Sequence, residues 1–303
     1  MSPNLPVVVG LDGRFESLVT AEWAAREALL RGVPLRLVHV PRQSSPPYAA
    51  LAGVVVPTDP QGSEHELDLV RASLSRRHPG LDVMVEQIAG DTVTILLAAA
   101  ADAGLLVLGS RGLGRTTGFL LGSVSRLVAA RAQRPVVLVR SFAQDGQDGQ
   151  DADRTAAAPE PSDGDVVVGV DLAGPADAVL AFAFDAASRR GAGLRVVHGS
   201  GQESEGISAT ELTGVNGGGP AVAPEWPLAD LLRPWEDKFP DVSVTEQAVV
   251  GQAGSHLVDA SRTAALLVVG RAARHAPVGA QIGPVTEAAL HYAESPVAFI
   301  PHD

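Results

Sequence analysis

The stretch VVVGLD at residues 7–12 recurs as VVVGVD at residues 166–171, and this recurrence decides the fold. In both copies, a histidine lies 27 positions after the aspartate that ends the stretch. A second pair of segments, LLVLG at residues 105–109 and LLVVG at residues 266–270, lies at nearly the same distance further along. Such self-similarity is the sign of a duplicated unit. The chain of 303 residues is therefore predicted to contain two copies of one domain.

The segment between the two copies has a different composition. It begins QDGQDGQD at residues 144–151 and continues rich in alanine, proline and aspartate. Low hydrophobicity and high charge are typical of linkers that build no core of their own. We therefore expect a first domain at residues 1–143, a flexible acidic linker at residues 144–164 and a second domain at residues 165–303.

Short runs of valine and leucine alternate with longer segments of helical character in both copies. In the first copy the pattern predicts strands near 6–11, 34–40, 81–88, 104–109 and 135–140, with helices near 17–31, 64–78, 91–103 and 122–132. The second copy predicts strands near 165–171, 193–199, 241–249, 265–270 and 296–301. Nearly continuous apolar strands that alternate with helices are typical of a parallel sheet covered on both faces. The predicted class is α/β, with two doubly wound domains.

Composition and charge exclude several classes of function. The chain has no cysteine, which excludes disulfides and thiolate metal sites and fits a cytoplasmic protein. Its N-terminus lacks the pattern of a signal peptide, and its apolar runs are too short for a membrane span. The net charge of −12 argues against nucleic acid as a partner. Residues 1–143 carry 14 basic and 12 acidic side chains, so a polyanion meets less repulsion there than in residues 166–303, with 8 basic and 16 acidic.

Glycines cluster after the fourth predicted strand of the first copy. Gly109 and Gly112 are followed, after nine further residues, by Gly122 and Ser123. Glycine lets backbone amides approach an anion closely, and the first turn of a helix that begins near Ser123 offers free N–H groups to a phosphate. The pattern predicts a cradle for a polyphosphate, although it lacks the lysine that ends a Walker loop. The alternative for Ser123 is a purely structural role as a helix N-cap.

The ends of other strands supply the remaining groups of a candidate site. In an open parallel sheet, ligands bind beyond the carboxyl ends of the strands, where the strand order reverses. With the first strand in the centre, Asp12 and Gly109 end neighbouring strands and flank that crevice. Asp12 is then placed to hold a ribose or a metal ion, and the backbone of Val40 is placed to face a base. The alternative for Asp12 is to cap the turn into the first helix.

These residues resemble the universal stress protein family in its tandem two-domain form. The resemblance covers both halves and rests on the strand that ends at Asp12, on the LVHV segment that ends at Val40, and on the Gly-x2-Gly-x9-Gly-Ser spacing from Gly109 to Ser123. It implies a flavodoxin-like fold with strand order 3-2-1-4-5 in each domain, bound ATP, dimerisation through the last strand and a role in stress regulation. Asp12 would lie near the ribose and the backbone of Val40 near the adenine. The implied ATP-binding residues are Gly10, Leu11, Asp12, Val40, Leu108, Gly109, Arg111, Gly112, Gly122, Ser123, Val124 and Ser125.

The second copy keeps part of this pattern and loses part of it. Asp171, Gly270 and Gly283 remain at the matching positions, so these three residues form a weaker second candidate site. Ala273 and Pro284 stand where the first copy has a glycine and the serine, and proline brings neither a hydroxyl nor an N–H. Arg271, Arg274 and His275 could compensate electrostatically for the lost phosphate contacts. The alternative is that these three residues belong to a solvated loop.

We interpret the chain as an ATP-binding regulatory protein, a nucleotide-dependent sensor or switch with an unknown regulatory protein partner. No nucleophile paired with a base is readable near the glycines, so no catalytic residue is assigned, and enzyme activity would amount at most to slow ATP hydrolysis. The alternatives are a slow ATPase or phosphotransferase with Mg²⁺ at Asp12, and a partner-binding scaffold with a vestigial nucleotide site. The last strand of the first copy predicts either a homodimer or an intramolecular pseudo-dimer of the two halves.

Overall fold

The computed structural model describes residues 5–12, 17–41, 60–112, 119–120, 122–141, 164–172, 174–199, 228–249, 253–272 and 283–302. In the first half the elements are β1 (Val7–Leu11), α1 (Ser17–Arg31), β2 (Leu35–His39), α2 (Pro60–Arg77), β3 (Val83–Gln87), α3 (Thr92–Ala101), β4 (Leu105–Gly112), β5 (Phe119–Leu120), α4 (Ser123–Arg131) and β6 (Val136–Ser141). In the second half they are β7 (Val166–Val170), α5 (Asp177–Arg190), β8 (Leu194–Gly199), α6 (Leu228–Lys238), β9 (Val244–Val249), α7 (Ala253–Ser261), β10 (Leu266–Ala272), α8 (Pro284–Tyr292) and β11 (Val297–His302). The predicted linker lies outside the described residues apart from Gly164.

Both halves contribute to one continuous mixed sheet. Its strand order is β3-β2-β1-β4-β6-β11-β10-β7-β8-β9, and β5 pairs with the end of β4 off this path. Within each half the five main strands run parallel in the order 3-2-1-4-5, as predicted. The strands are buried on both faces because α1, α2, α5 and α6 cover one side and α3, α4, α7 and α8 cover the other. This explains why Val7, Val8 and Val9 are all fully buried in succession.

The two halves join through their last strands. β6 and β11 pair antiparallel, with Val136 opposite Phe299, Val137 opposite Ala298 and Leu138 opposite Val297. The chain is therefore an intramolecular pseudo-dimer. The other alternative, a homodimer through this edge, is wrong for this structure because β11 already occupies the backbone groups that a second copy would need.

A buried carboxylate also links the halves, on the α1 and α5 side of the sheet. Glu27 of α1 is 1% exposed. It accepts a hydrogen bond from Arg31 at 2.6 Å and another from Arg190 of the second half. Arg31 and Arg190 are equivalent residues, the last of α1 and of α5, whereas the position equivalent to Glu27 is Ala186. One glutamate therefore bonds to a symmetric pair of arginines, and Asp185 of the second half lies 3.9 Å from Arg31 as a second carboxylate of the cluster.

The structure differs from the sequence expectation in the segment that follows the fourth strand. We predicted that this strand would end near residue 109, but β4 continues to Gly112. It does so because β6 extends beside it, with Ser141 opposite Arg111, and because β5 returns antiparallel on its other side. Helix α2 also begins earlier than predicted, at Pro60.

Candidate functional site

The ends of three strands of the first half lie side by side. Gly10 of β1 is in register with Val38 of β2 on one side and with Leu108 of β4 on the other. Asp12 and Val40 each lie two residues beyond such a pair, and Gly109 lies one residue beyond. The sheet thus brings together the carboxylate, the backbone groups and the first glycine of the predicted site. Asp12 is exposed and Val40 is buried.

Helix α4 delivers its N-terminus to the same edge of the sheet. The hydroxyl of Ser125 donates a hydrogen bond to the carbonyl of Gly109 at 3.1 Å, which ties the first turn of the helix to the end of β4. The amides of Ser123, Val124 and Ser125 belong to this first turn, where backbone N–H groups have no intrahelical acceptor. Such amides attract anions, and the helix dipole adds to the attraction.

The role of Ser123 as an N-cap is not what the structure shows. Gly122 is the N-cap residue, with φ −60 and ψ 143, and as a glycine it offers no side chain to cap the first turn. Ser123 is the first helical residue and is exposed. A helix that starts without a side-chain cap keeps its N-terminal donors available to an external acceptor.

The two glycines at this edge have different surroundings. A Cβ atom added to Gly122 would meet no atom of the described residues within 4 Å, so these residues leave open space beside the helix N-terminus. A Cβ added to Gly109 would lie 2.9 Å from the Oγ1 of Thr20, a buried residue of α1. Gly109 is therefore needed for the packing of α1 against the sheet, a role that the spacing of glycines does not reveal. Thr20 is the residue that the sequence reasoning missed.

His39 lies next to this edge as part of the core. It is 5% exposed, and its Nδ1–H donates to the carbonyl of Leu11 at 3.0 Å. The bond joins the end of β2 to the residue before Asp12. Arg111 and Gly112 belong to the extended part of β4, but their side-chain surroundings, and residues 113–118 and 121, lie outside the description.

The second half repeats the same connection with other residues. The Oγ1 of Thr286 donates to the carbonyl of Gly270 at 3.0 Å, as Ser125 does in the first half. Gly283 is the N-cap of α8, and Pro284 is its first residue, as predicted from the sequence. The amide that the first half offers at this position is therefore absent here. Asp171 is exposed at the end of β7, in the position that corresponds to Asp12.

The proposal that Arg271 compensates for the missing phosphate ligands is wrong in this structure. Arg271 is 5% exposed and turns away from its own strand end toward the first half. Its guanidinium donates to the carbonyls of Ala130, at 2.9 Å, and of Ala132, at the end of α4. Burial lowers the pKa of Arg271. The other residues named for compensation or loss, Ala273, Arg274 and His275, lie outside the described residues.

The described part of the chain contains no group of three or more histidine or carboxylate side chains that could hold a metal ion. Among the helices described, none is long and apolar enough to cross a membrane.

Comparison with known proteins identifies the fold and the family. The chain matches the Universal stress protein family over residues 4–140 and again over residues 164–301. It is 33% identical over 300 residues to Universal stress protein Rv2005c of Mycobacterium tuberculosis, covering 96% of this chain and 95% of that protein. Universal stress protein Rv2623 of the same organism is 32% identical over 304 residues, with 97% and 95% covered.

The solved structures agree on the architecture. A universal stress protein from Archaeoglobus fulgidus, 17% identical, superposes over the full length of both chains with a TM-score of 0.65. A universal stress protein solved in complex with cAMP, 27% identical, matches 46% of this chain and 98% of that chain with a TM-score of 0.31. Two matches to one family in a single continuous sheet leave one conclusion: this chain is a tandem member of the universal stress protein family.

Proposed function

We propose that the first half binds ATP and that the chain acts as an ATP-dependent regulatory protein of the stress response. One observation carries the proposal: the N-terminus of α4, where Gly122 provides no capping side chain, is tied to the end of β4 beside Asp12 and borders space that the described residues leave open. An anion in that space would meet the amides of the first helical turn. The small positive balance of residues 1–143 favours a polyanion in this half.

The roles of the individual residues follow from their places at the sheet edge. We assign the ribose to Asp12 and the adenine to the backbone of Val40, because these lie at the ends of adjacent strands. The phosphates are assigned to Gly109, Arg111, Gly112, Gly122, Ser123, Val124 and Ser125, with Gly10, Leu11 and Leu108 forming the floor. The hydroxyl of Ser125 donates to Gly109, so its contribution to a phosphate is its backbone amide.

The second half is proposed to act as a structural partner with an empty or much weaker site. Pro284 removes an amide from the first turn of α8, and Arg271 is engaged elsewhere. Long-range charge is screened over roughly 8 Å at physiological salt. The lost contacts should therefore matter more than the excess of acidic residues in this half. We propose that the two domains span residues 1–143 and 165–303, and the two family matches support these bounds.

Calorimetric titration with ATP tests the assignment through two matched glycine variants. Gly122→Ala and Gly283→Ala both place a methyl group in open space at the N-cap of a helix, with ordinary φ values of −60 and −66. Neither should disturb folding. We expect about one ATP per chain, weakened by Gly122→Ala by about 1–3 kcal/mol, the range for one crowded charge-assisted contact. Gly283→Ala should leave the affinity unchanged.

Several outcomes would contradict this function. An unchanged affinity for ATP in Gly122→Ala would contradict the phosphate site proposed at α4. Two equivalent ATP sites per chain would contradict the proposed difference between the halves. Binding that is lost on alteration of Asp171 but survives the combined change Gly122→Ala and Ser123→Ala would show that the second half carries the site. Steady release of phosphate from ATP, abolished in the variant Asp12→Ala, would show that the chain is a slow ATPase and not only a binding protein.

A further inference from the structure

Two short helices of this protein, α4 and α8, are each held at both ends. Each has nine residues and no side-chain N-cap, and helices this short are marginal on their own. At the N-terminal end, a hydroxyl of the same half bonds the helix to a strand-end glycine, Ser125 to Gly109 and Thr286 to Gly270. The C-terminal ends are held differently, by the opposite half.

An arginine from the other half reaches the last carbonyls of each helix. Arg271 of β10 donates to Ala130 and Ala132 at the end of α4. Arg140 of β6 donates to the carbonyls of Ala289, at 3.0 Å, and Leu290, at 2.7 Å, at the end of α8. Both arginines are at least nine-tenths buried, with 5% and 2% exposed. A cation at a helix C-terminus satisfies the free carbonyls and opposes the negative end of the dipole.

These two arginines are not equivalent residues of the repeat. Arg271 lies one residue after the strand-end glycine of β10, where the first half has Ser110. Arg140 lies on the fifth strand of its half, where the second half has Pro301. The second half therefore has an arginine, Arg271, directly after the glycine that ends its strand, and this arginine bonds to α4 of the first half.

We infer that Arg271 is a positioning residue for the nucleotide site of the first half. The inference rests on the proposed function. The N-terminus of α4 supplies the phosphate amides, and Ser125 holds only that end. Without Arg271 the C-terminal turn loses the bonds to Ala130 and Ala132, and the helix samples positions in which its amides no longer converge. Apparent affinity falls with the fraction of chains in the competent position. Arg140 holds α8, which has no place in that site.

The matched pair Arg271→Met and Arg140→Met, made in the full chain, tests this role. Methionine keeps much of the apolar stem and removes the donors. Amide hydrogen exchange without nucleotide should show faster exchange over residues 122–131 in Arg271→Met and over residues 283–292 in Arg140→Met. Calorimetry should show ATP binding about tenfold weaker in Arg271→Met and within twofold of wild type in Arg140→Met. Arg271→Lys, which keeps a donor and the charge, should fall between.

The outcomes separate the inference from the proposed function. If the wild-type chain binds no ATP, the proposed function fails and the positioning role fails with it. If the wild-type chain binds ATP and both methionine variants lose affinity equally, the arginines serve only the pairing of the halves, and the inference is overturned. Unchanged exchange over residues 122–131 in Arg271→Met overturns it independently of any nucleotide. Should Arg271→Met fail to fold, the same comparisons are made with Arg271→Lys against Arg140→Lys.

Discussion

The buried carboxylate Glu27 offers a sharp test of how the two halves are held together. The change Glu27→Gln keeps the shape of the side chain and removes its charge, so Arg190 loses this carboxylate, whereas Arg31 keeps the more distant Asp185 at 3.9 Å. The arginine side chains are 14% and 13% exposed, and that of Glu27 is 1% exposed. Removing one member of a buried ion pair costs about 3–5 kcal/mol, because the remaining charge is uncompensated. Both arginines keep some access to water, so we expect a loss near the lower end, about 3 kcal/mol.

Glu287→Gln is the matched control, because its ion pair also joins the two halves. Arg126 and Glu287 are each the fourth residue of their helix and lie 3.2 Å apart, but their side chains are 53% and 35% exposed. Exposed pairs contribute about 0–1 kcal/mol. The loss of stability in Glu287→Gln should therefore be several times smaller than that in Glu27→Gln, although both changes remove an ion pair between the two halves.

Equilibrium unfolding in urea measures both variants under the same conditions. The m value in urea is about 1–3 kcal/mol/M for small proteins and increases with size, so in this chain a loss of about 3 kcal/mol in Glu27→Gln moves the midpoint down by about 1 M or less. The smaller effect of Glu287→Gln should shrink further when salt is raised, whereas that of Glu27→Gln should persist, because buried pairs are screened less. Equal losses in the two variants, or a loss below about 1 kcal/mol in Glu27→Gln, would refute the reasoning that burial sets the strength of these pairs.

Three further changes have effects that the structure specifies. Gly109→Ala should destabilise the fold by about 1–3 kcal/mol through overpacking, because the new methyl group would lie 2.9 Å from Thr20; unfolding of the double variant with Thr20→Ala should recover most of this loss. Phe184→Ala, at a fully buried side chain that stacks on two aromatic rings of α6 and the loop after it, should cost about 3–5 kcal/mol in the same assay. Asp91 caps α3, and hydrogen bonds from Thr94, first from its side chain and then from its backbone, lower the pKa of the Asp91 carboxyl from 3.8. A carboxylate with a lowered folded pKa contributes stability above its unfolded pKa and loses it in stronger acid, so the gap in stability between wild type and Asp91→Ala should be full at pH 7 and narrow only below 3.8; a constant gap would exclude the charge as its cause.

Some features of the candidate site could be predicted from the sequence, and others appear only in the structure. The strands are buried on both faces, so alternating burial does not set their register. Placing Asp12, Val40 and Gly109 at one edge required the predicted strand ends and the strand order that the family resemblance implied. The extension of β4 to Gly112 depends on a partner strand, β5, of only two residues, too short to leave a pattern. The packing role of Gly109 depends on Thr20, whose distance from that glycine is set by how α1 crosses the sheet.

The sequence by itself determined the duplication, the α/β class and the loss of an amide at Pro284, because these are properties of local pattern and spacing. The order of the strands followed from the resemblance to the universal stress protein family. Tertiary structure alone decided that the last strands pair within one chain, that Glu27 serves arginines of both halves, and that Arg271 holds α4 and is no ligand of its own site. Each of these depends on residues more than 100 positions apart. A charged side chain bonds to the partners that lie near it in the folded chain. For these residues the partners belong to the other half, so they are known only once the two halves pack into one sheet.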